Sequence, residues 1–345
     1  MKHVNIPVFV PHLGCPHDCV FCNQRTITGK SEFDISRVQQ DISDALSTVD
    51  IQNTEAEIAF FGGSFTGIER ELMIRLLEIS DEFYDKGLIK SVRCSTRPDY
   101  IDNEILDILK AHHVKTVEIG IQSMSDAVLE ASARGHTSAE TENACRMIVD
   151  RGFDLVGQMM IGLPCSSVED EIMTAEKICS LGAVGARIYP TVVFHNTALC
   201  SMAEEGRYKP LTVDEAVERS AAVLGVFAEN GVEVIRIGLC ESDGLHSDSG
   251  IYAGAFHPAF GELCISEYYY NKFKSALAGI NKGSVTVCVP KGSLSKAVGQ
   301  HRKNKIRLKT LYPDIDIVFA EDERLNKYDF TVLSENGENN AFKIT

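Results

Sequence analysis

Tryptophan is absent, aromatic residues make up only 8% of the 345 positions, and no apolar run is long enough to cross a bilayer. A helical membrane span is thereby excluded. No secretory leader is read either, since Met1-Lys2-His3-Val4 leads directly into strand-like sequence. A cytoplasmic, reducing setting is therefore expected, with few or no disulfides. Eight of the 11 cysteines (Cys94, Cys145, Cys165, Cys179, Cys200, Cys240, Cys264 and Cys288) are scattered with no CxxC pair and read as small buried hydrophobes. Acidic residues are missing from one long stretch. Between Tyr268 and Pro313 there is no Asp or Glu, yet the stretch holds ten bases: Lys272, Lys274, Lys282, Lys291, Lys296, Arg302, Lys303, Lys305, Arg307 and Lys309. The net charge of −15 argues against a nucleic-acid partner for the chain as a whole. The acid-free stretch argues the other way for one side of it.

What is present is concentrated near the start. Cys15, Cys19 and Cys22 form a CxxxCxxC run, and one short loop of this kind can wrap three thiolates around an iron–sulfur cube, leaving its fourth iron without a protein ligand. Two other readings compete. A disulfide would leave one cysteine over, and a structural zinc would want a fourth ligand at matching spacing, which the scattered cysteines do not offer.

The rest of the chain alternates strand and helix patterns, as expected of repeated βα units around a parallel sheet. Six buried strands are predicted at Val4 to Val10, Ala56 to Phe61, Ser91 to Ser95, Thr116 to Ile121, Leu155 to Ile161 and Val184 to Tyr189. Helices are predicted between them, at Ser36 to Thr48, Glu69 to Tyr84, Asn103 to Ala111, Ala139 to Arg151 and Ser167 to Leu181. Six units fit an α/β fold built as a partial (β/α)6 TIM-like barrel, whose chemistry would sit at the carboxyl ends of the strands. Residues 1–240 would form this barrel. A Gly-, Ser- and His-rich linker over 241–265, with His246, His257 and Pro258, would join it to a small basic α/β module over 266–345. In that module Val285 to Val289 and Ile315 to Phe319 read as strands, and Leu294 to Leu311 as one helix carrying the basic run Gln300 to Lys305. Val232 to Gly238 is also strand-like.

The CxxxCxxC run with Phe21 before its last cysteine resembles the signature of the radical S-adenosylmethionine superfamily. The resemblance implies a 4Fe–4S cluster on Cys15, Cys19 and Cys22 whose open iron is chelated by S-adenosylmethionine. It also implies a reductive cleavage that yields a 5′-deoxyadenosyl radical, and hydrogen abstraction from substrate. Gly62-Gly63-Ser64 resembles the superfamily's second motif, which holds the methionyl amine. Gln122, Arg134 and Gln158 resemble positions in the coproporphyrinogen-dehydrogenase branch that contact the ribose and carboxylate. Arg134 suits a carboxylate because its fork binds bidentately. Ser95, where relatives carry Glu, and Tyr189 at the sixth strand complete the expected cofactor contacts with Phe21.

A longer colinear likeness, over about residues 3–240, is to the radical domain of the elongator catalytic subunit. It is carried by Thr96 to Tyr100, Val117 to Ser123, Arg134 to Thr137, Ile188 to Val193, Thr197, Leu199 and Gly206 to Lys209. That family modifies the wobble uridine of transfer RNA. It spaces its first two cysteines more widely and continues into an acetyltransferase domain that is not seen here, so the likeness implies a stand-alone form. Transfer RNA is thus an expected partner, through residues 268–313, together with a one-electron reductant such as flavodoxin or ferredoxin. Tyr312 and Tyr268 to Tyr270 are the aromatic residues near the basic run that could stack on bases. The alternatives are a radical enzyme acting on a small molecule such as a porphyrinogen, and a cluster-bearing electron carrier or regulatory protein without turnover.

Overall fold

The computed structural model describes residues 2–10, 15, 19–23, 33–239, 245, 250–334 and 339–340. Seven parallel strands form one sheet in the order β1 (Lys2–Phe9), β2 (Thr54–Phe61), β3 (Ser91–Thr96), β4 (Val114–Gln122), β5 (Asp154–Ile161), β6 (Gly185–Pro190) and β8 (Glu233–Ile237). This is a partial parallel barrel, as expected from the alternating strands and helices. The six predicted strands are joined by the strand-like segment near Val232 as a seventh. Between them run α1 (Ile35–Ser47), α2 (Arg70–Asp85), α3 (Asn103–Ala111), α4 (Asp126–Ala131), α5 (Ser138–Asp150) and α6 (Val168–Ser180), then α7 (Ala198–Glu204) and α8 (Val213–Glu229).

Local chemistry sets these boundaries. Thr137 with Glu140, Ser167 with Asp170 and Thr212 with Glu215 form capping boxes at the heads of α5, α6 and α8. The apolar face of α2 buries Leu76, Leu77 and Ile79, along with Met73 and Phe83. The inner strands β2 to β6 are largely buried on both faces, as parallel strands covered by helices are, while the edge strands β1 and β8 keep exposed positions. Ile58, Ala59 and Phe60 of β2 are wholly covered.

Beyond the barrel the structure departs from expectation in three places. Within 241–265, Ile251–Gly254 (β9) pairs antiparallel with Val192–Phe194 (β7), and α9 (Phe260–Leu277) already begins, because Phe260 and Cys264 pack on Ala216 and Val217 of α8. Within the linker, residues 241–244 and 246–249, His246 among them, lie outside the described set, as does Cys240 just before it. The single helix expected from Leu294 to Leu311 is two, α10 (Leu294–Val298) and α11 (Lys303–Leu311), broken where Gly299, His301 and Arg302 take φ of 82°, 51° and 61°. The expected strands β10 (Gly283–Pro290) and β11 (Ile315–Asp322) pair in parallel, and β12 (Thr331–Ser334) adds an antiparallel partner followed by β13 (Asn339–Asn340).

The apolar core is continuous from the barrel into this last sheet, taking in Tyr268, Tyr269, Phe273, Val285 and Val287. Tyr268 and Tyr269 are therefore core residues, 2% and 1% exposed, and cannot stack on bases. Tyr312 donates its hydroxyl to the Lys274 carbonyl at 2.7 Å, and the Tyr270 ring lies 3.4 Å from the Arg307 guanidinium. Five of the eight scattered cysteines are buried and Cys179 is half-buried, but Cys165 is exposed, in a left-handed turn at φ 63°. Among the described residues, no helix is long and apolar enough to cross a membrane.

Candidate functional site

The cysteine loop follows β1 and is held from two sides. The Val20 N–H donates to the Ser132 carbonyl at 3.2 Å, and the Val20 carbonyl accepts from the Leu199 N–H at 2.8 Å. Val20 and Phe21 pack against Val193, Leu199, Cys200 and Tyr208. Phe21 thus anchors the loop through an apolar contact. The Cys22 N–H closes a turn on the Cys19 carbonyl at 3.0 Å. Cys19 is buried, while Cys15 and Cys22 are half-buried. Among the described residues, no three His, Cys, Asp or Glu side chains are gathered closely enough to hold a metal ion; Pro16, His17 and Asp18 of this loop lie outside them.

Two buried guanidiniums converge on Cys19. Arg134 donates from Nη1 to the thiol at 3.2 Å and from Nη2 to the Gly120 carbonyl at 2.6 Å. Arg97 approaches the same sulfur at 3.9 Å, pairs with Asp99 at 2.9 Å and donates to the Arg134 carbonyl. Burial pushes the Cys15 thiol up, and the nearby Arg97 charge opposes it. Arg134 has no carboxylate partner among the described residues, and its Nε is buried with no hydrogen-bond partner. A buried guanidinium left in this state calls for an anion. Three thiols backed by two cations fit an anionic iron–sulfur cluster, and the open edge of Arg134 fits a carboxylate. Next to it, burial and the charges of Arg134 and Arg97 pull His136 down to about 4, so its ring is neutral at pH 7. Its Nδ1 meets the Thr141 hydroxyl at 3.2 Å and its Nε2 is buried without a partner.

The other predicted residues gather at the strand tips. Gly62 and Gly63 turn the chain with φ of 92° and 50°, and a Cβ on Gly62 would stand 3.0 Å from the Val10 carbonyl oxygen. Only glycine tolerates that approach. Ser64 is fully buried, its hydroxyl 2.8 Å from that of Thr96 and accepting from the Arg97 N–H at 3.3 Å, so it braces the tips of β2 and β3 against each other. Gln122 sits at a register shift in β4 with a left-handed φ of 64°.

Gln158 donates to Glu118 at 2.9 Å and approaches Ser95 at 3.5 Å. Those contacts lead to a charge network that the sequence reading missed. Glu118, on β4, accepts from Arg187 at 2.8 and 2.9 Å and from Arg93 at 2.7 Å, while Arg93 also reaches Glu57 at 2.5 Å. Burial alone would raise Glu118, but the hydrogen bonds and charges of Arg187 and Arg93, with Gln158, outweigh it and hold the carboxyl below its usual range. Tyr189, beside it on β6, is among the groups that keep Arg187 charged.

A half-barrel of parallel strands whose first loop carries three cysteines defines the radical S-adenosylmethionine class. Comparison with known proteins agrees. The family described as "Radical SAM superfamily" matches residues 9–178, and "Radical_SAM C-terminal domain" matches 183–270. The chain is 30% identical over 226 residues to "Uncharacterized protein MJ0486" of Methanocaldococcus jannaschii, an overlap of 62% of this chain and 68% of that protein. It is 28% identical over 245 residues to a "tRNA uridine(34) acetyltransferase" of Methanocaldococcus infernus, covering 59% of this chain but only 46% of the relative. Among solved structures, the archaeal Methanocaldococcus infernus Elp3 lacking residues 1–46 superposes with a TM-score of 0.60 at 21% identity, over 79% of this chain and 63% of that one.

The chain belongs to the radical S-adenosylmethionine superfamily and is an enzyme of that class, with the superfamily's 4Fe–4S cluster and S-adenosylmethionine as cofactors. It spans less than half the length of the acetyltransferase it matches.

Proposed function

We propose that this enzyme modifies transfer RNA. When bound, the cluster and S-adenosylmethionine supply one-electron cleavage of a carbon–sulfur bond and a 5′-deoxyadenosyl radical that abstracts hydrogen from the substrate. Cys15, Cys19 and Cys22 would hold the cluster. Arg97 and Arg134 would balance its charge, and the backbone of the Gly62-Gly63 turn would hold the methionyl amine of the cofactor. Arg134, Gln122 and Gln158 would orient the cofactor's carboxylate and ribose, with Phe21, Ser64, Ser95 and Tyr189 bracing the surrounding loops and strand tips. A reductant such as flavodoxin or ferredoxin would deliver the electron. Residues 1–240 would carry this chemistry, and the basic module would meet the RNA.

The observation that carries the reading is the pair of buried guanidiniums on Cys19, set at the carboxyl ends of a parallel half-barrel. The transfer-RNA part rests on the likeness to the archaeal uridine(34) acetyltransferase. It is tested by anaerobic reconstitution followed by measurement of 5′-deoxyadenosine release with reductant, with and without bulk transfer RNA. Release stimulated by RNA supports the reading. Release that ignores RNA moves the substrate to a small molecule, and no release from cluster-loaded protein removes the radical reading.

A further inference from the structure

Where the expected C-terminal helix breaks, the chain forms a cleft of about 280 Å³ lined by Glu262 and Ser266 of α9, Ser295 and Lys296 of α10, and His301 and Arg302 at the break. The break is built in. Asn304, 1% exposed, donates from Nδ2 to the Ser266 carbonyl at 2.8 Å, the Ser266 hydroxyl at 3.0 Å and the Ala297 carbonyl at 3.1 Å. Those bonds hold α10 and the head of α11 against α9. A Cβ on Gly299 would meet the Asn304 nitrogen at 3.0 Å, so glycine is required at the point of closest approach. His301 and Arg302 follow in left-handed conformations that residues with a Cβ seldom adopt. The result is that Lys296, His301 and Arg302 line one cleft, where a continuous helix would have spread them around its surface.

The bases of the acid-free stretch are matched unevenly. Of the bases in the acid-free stretch, Lys272 pairs with Glu229, Lys291 with Glu323, Lys303 with Asp214 and Arg307 with Glu267, while Lys309 donates to two backbone carbonyls. The side chains of Lys296 and Arg302, like those of Lys274, Lys282 and Lys305, have no carboxylate or hydrogen-bond partner among the described residues, and of these five only Lys296 and Arg302 line the cleft. In a chain with 49 acids and 34 bases, two unmatched bases at one cleft, with His301 beside them, form a local attractor for anions. No side chain caps the first turn of α11, whose positive end adds to the field.

Position matters as much as charge. The head of α9 abuts the carboxyl end of β8, where a Cβ on Gly261 would meet the Ile237 carbonyl oxygen at 3.0 Å. Lys303 reaches Asp214, in the first turn of α8, at 3.8 Å. The cleft therefore lies at the end of the barrel sheet that carries the cysteine loop.

We propose that this cleft binds a phosphate group of an RNA backbone, with Lys296 and Arg302 neutralising it and Glu262 accepting a ribose hydroxyl, and so anchors the substrate beside the barrel mouth. The proposal rests on the transfer-RNA reading above and adds the point of contact. Contacts of this kind position a nucleic acid without reading its sequence.

The test compares the full-length, cluster-loaded chain with the Lys296→Glu/Arg302→Glu variant. A charge-matched control, Lys274→Glu/Lys282→Glu, alters two exposed bases outside the cleft. Bulk transfer RNA is titrated by fluorescence anisotropy at several salt concentrations, and inorganic phosphate and 5′-AMP are titrated separately while the His301 ring signals are followed by NMR. The cleft variant is expected to lose about tenfold or more in affinity at low salt and to show a salt slope smaller by about one to two, with the control losing less. Equal losses in the two variants, or none in the cleft variant, overturn the proposal and leave the transfer-RNA reading standing. Phosphate and 5′-AMP that shift His301 in a chain that binds no transfer RNA would sustain the phosphate site and remove the RNA reading. No response in either titration removes both.

Discussion

The barrel interior and the C-terminal cleft both hold arginines and treat them in opposite ways. Inside the sheet, Arg93 and Arg187 are 8% and 7% exposed, and each is bonded to the Glu118 carboxylate, with Glu57 as a second anion for Arg93. At the cleft, the Lys296 and Arg302 side chains form no ion pair among the described residues, although Glu262 lines the same cleft. A charge removed from water must be matched within the protein, so the interior network spends its charges on holding β2, β3, β4 and β6 in register. A charge at a surface cleft keeps its hydration and can remain unmatched until a partner arrives. Arg134 stands between these cases. It is as buried as the network, yet it has no carboxylate partner among the described residues, and it lies against a cysteine sulfur.

The sharpest break of this contrast is at the cysteines. Replacing Cys15, Cys19 and Cys22 together by Ala should abolish iron and sulfide incorporation and 5′-deoxyadenosine release while the chain stays folded; variants that still bind iron and sulfide stoichiometrically would sink the cluster assignment. Next comes the network. Glu118→Leu leaves two buried guanidiniums without their shared anion, and a loss of about 3–5 kcal/mol in unfolding free energy is expected from chemical denaturation. A midpoint unchanged from the parent would mean that the network is not holding the strands.

His136 gives a smaller, pH-dependent effect. Its folded value of about 4 lies below the unfolded value of about 6.5, so the neutral form is favoured by folding. Its contribution is complete above about pH 6.5 and is lost as pH falls toward about 4, at up to about 1.4 kcal/mol per unit. In His136→Gln, stability measured at pH 5 and pH 7.5 should differ less than in the parent; an identical difference would count against the assignment. The smallest effect belongs to the cleft, where Lys296→Glu/Arg302→Glu should leave the thermal midpoint unchanged, since neither side chain holds the fold. A clear drop would show that those bases are structural.

Much of this was legible before any coordinates. The spacing of Leu72, Ile74, Leu76, Leu77 and Ile79 marks the α2 helix and three cysteines within eight positions mark the cluster loop, because both signals are written in short spacings along the chain. The resemblance to the coproporphyrinogen-dehydrogenase branch likewise points to Arg134, Gln122 and Gln158. The network did not announce itself. Glu118 lies within the run Val117 to Ser123, and its partners Arg93 and Arg187 are 25 and 69 positions away. Residues so far apart carry no mutual spacing to read.

The C-terminal helix shows the limit from the other side. Its sequence is helical in composition, but the break at Gly299 to Arg302 depends on Asn304 reaching Ser266, 38 positions earlier. The sequence by itself therefore determined the strand and helix alternation, the cysteine loop and the superfamily, all of which rest on local periodicity or contiguous motifs. Tertiary structure alone decided which buried charges share a carboxylate, which tyrosines are core, and which bases remain unmatched at one cleft. Those outcomes depend on distance in space between residues remote in the chain, and only packing sets that distance.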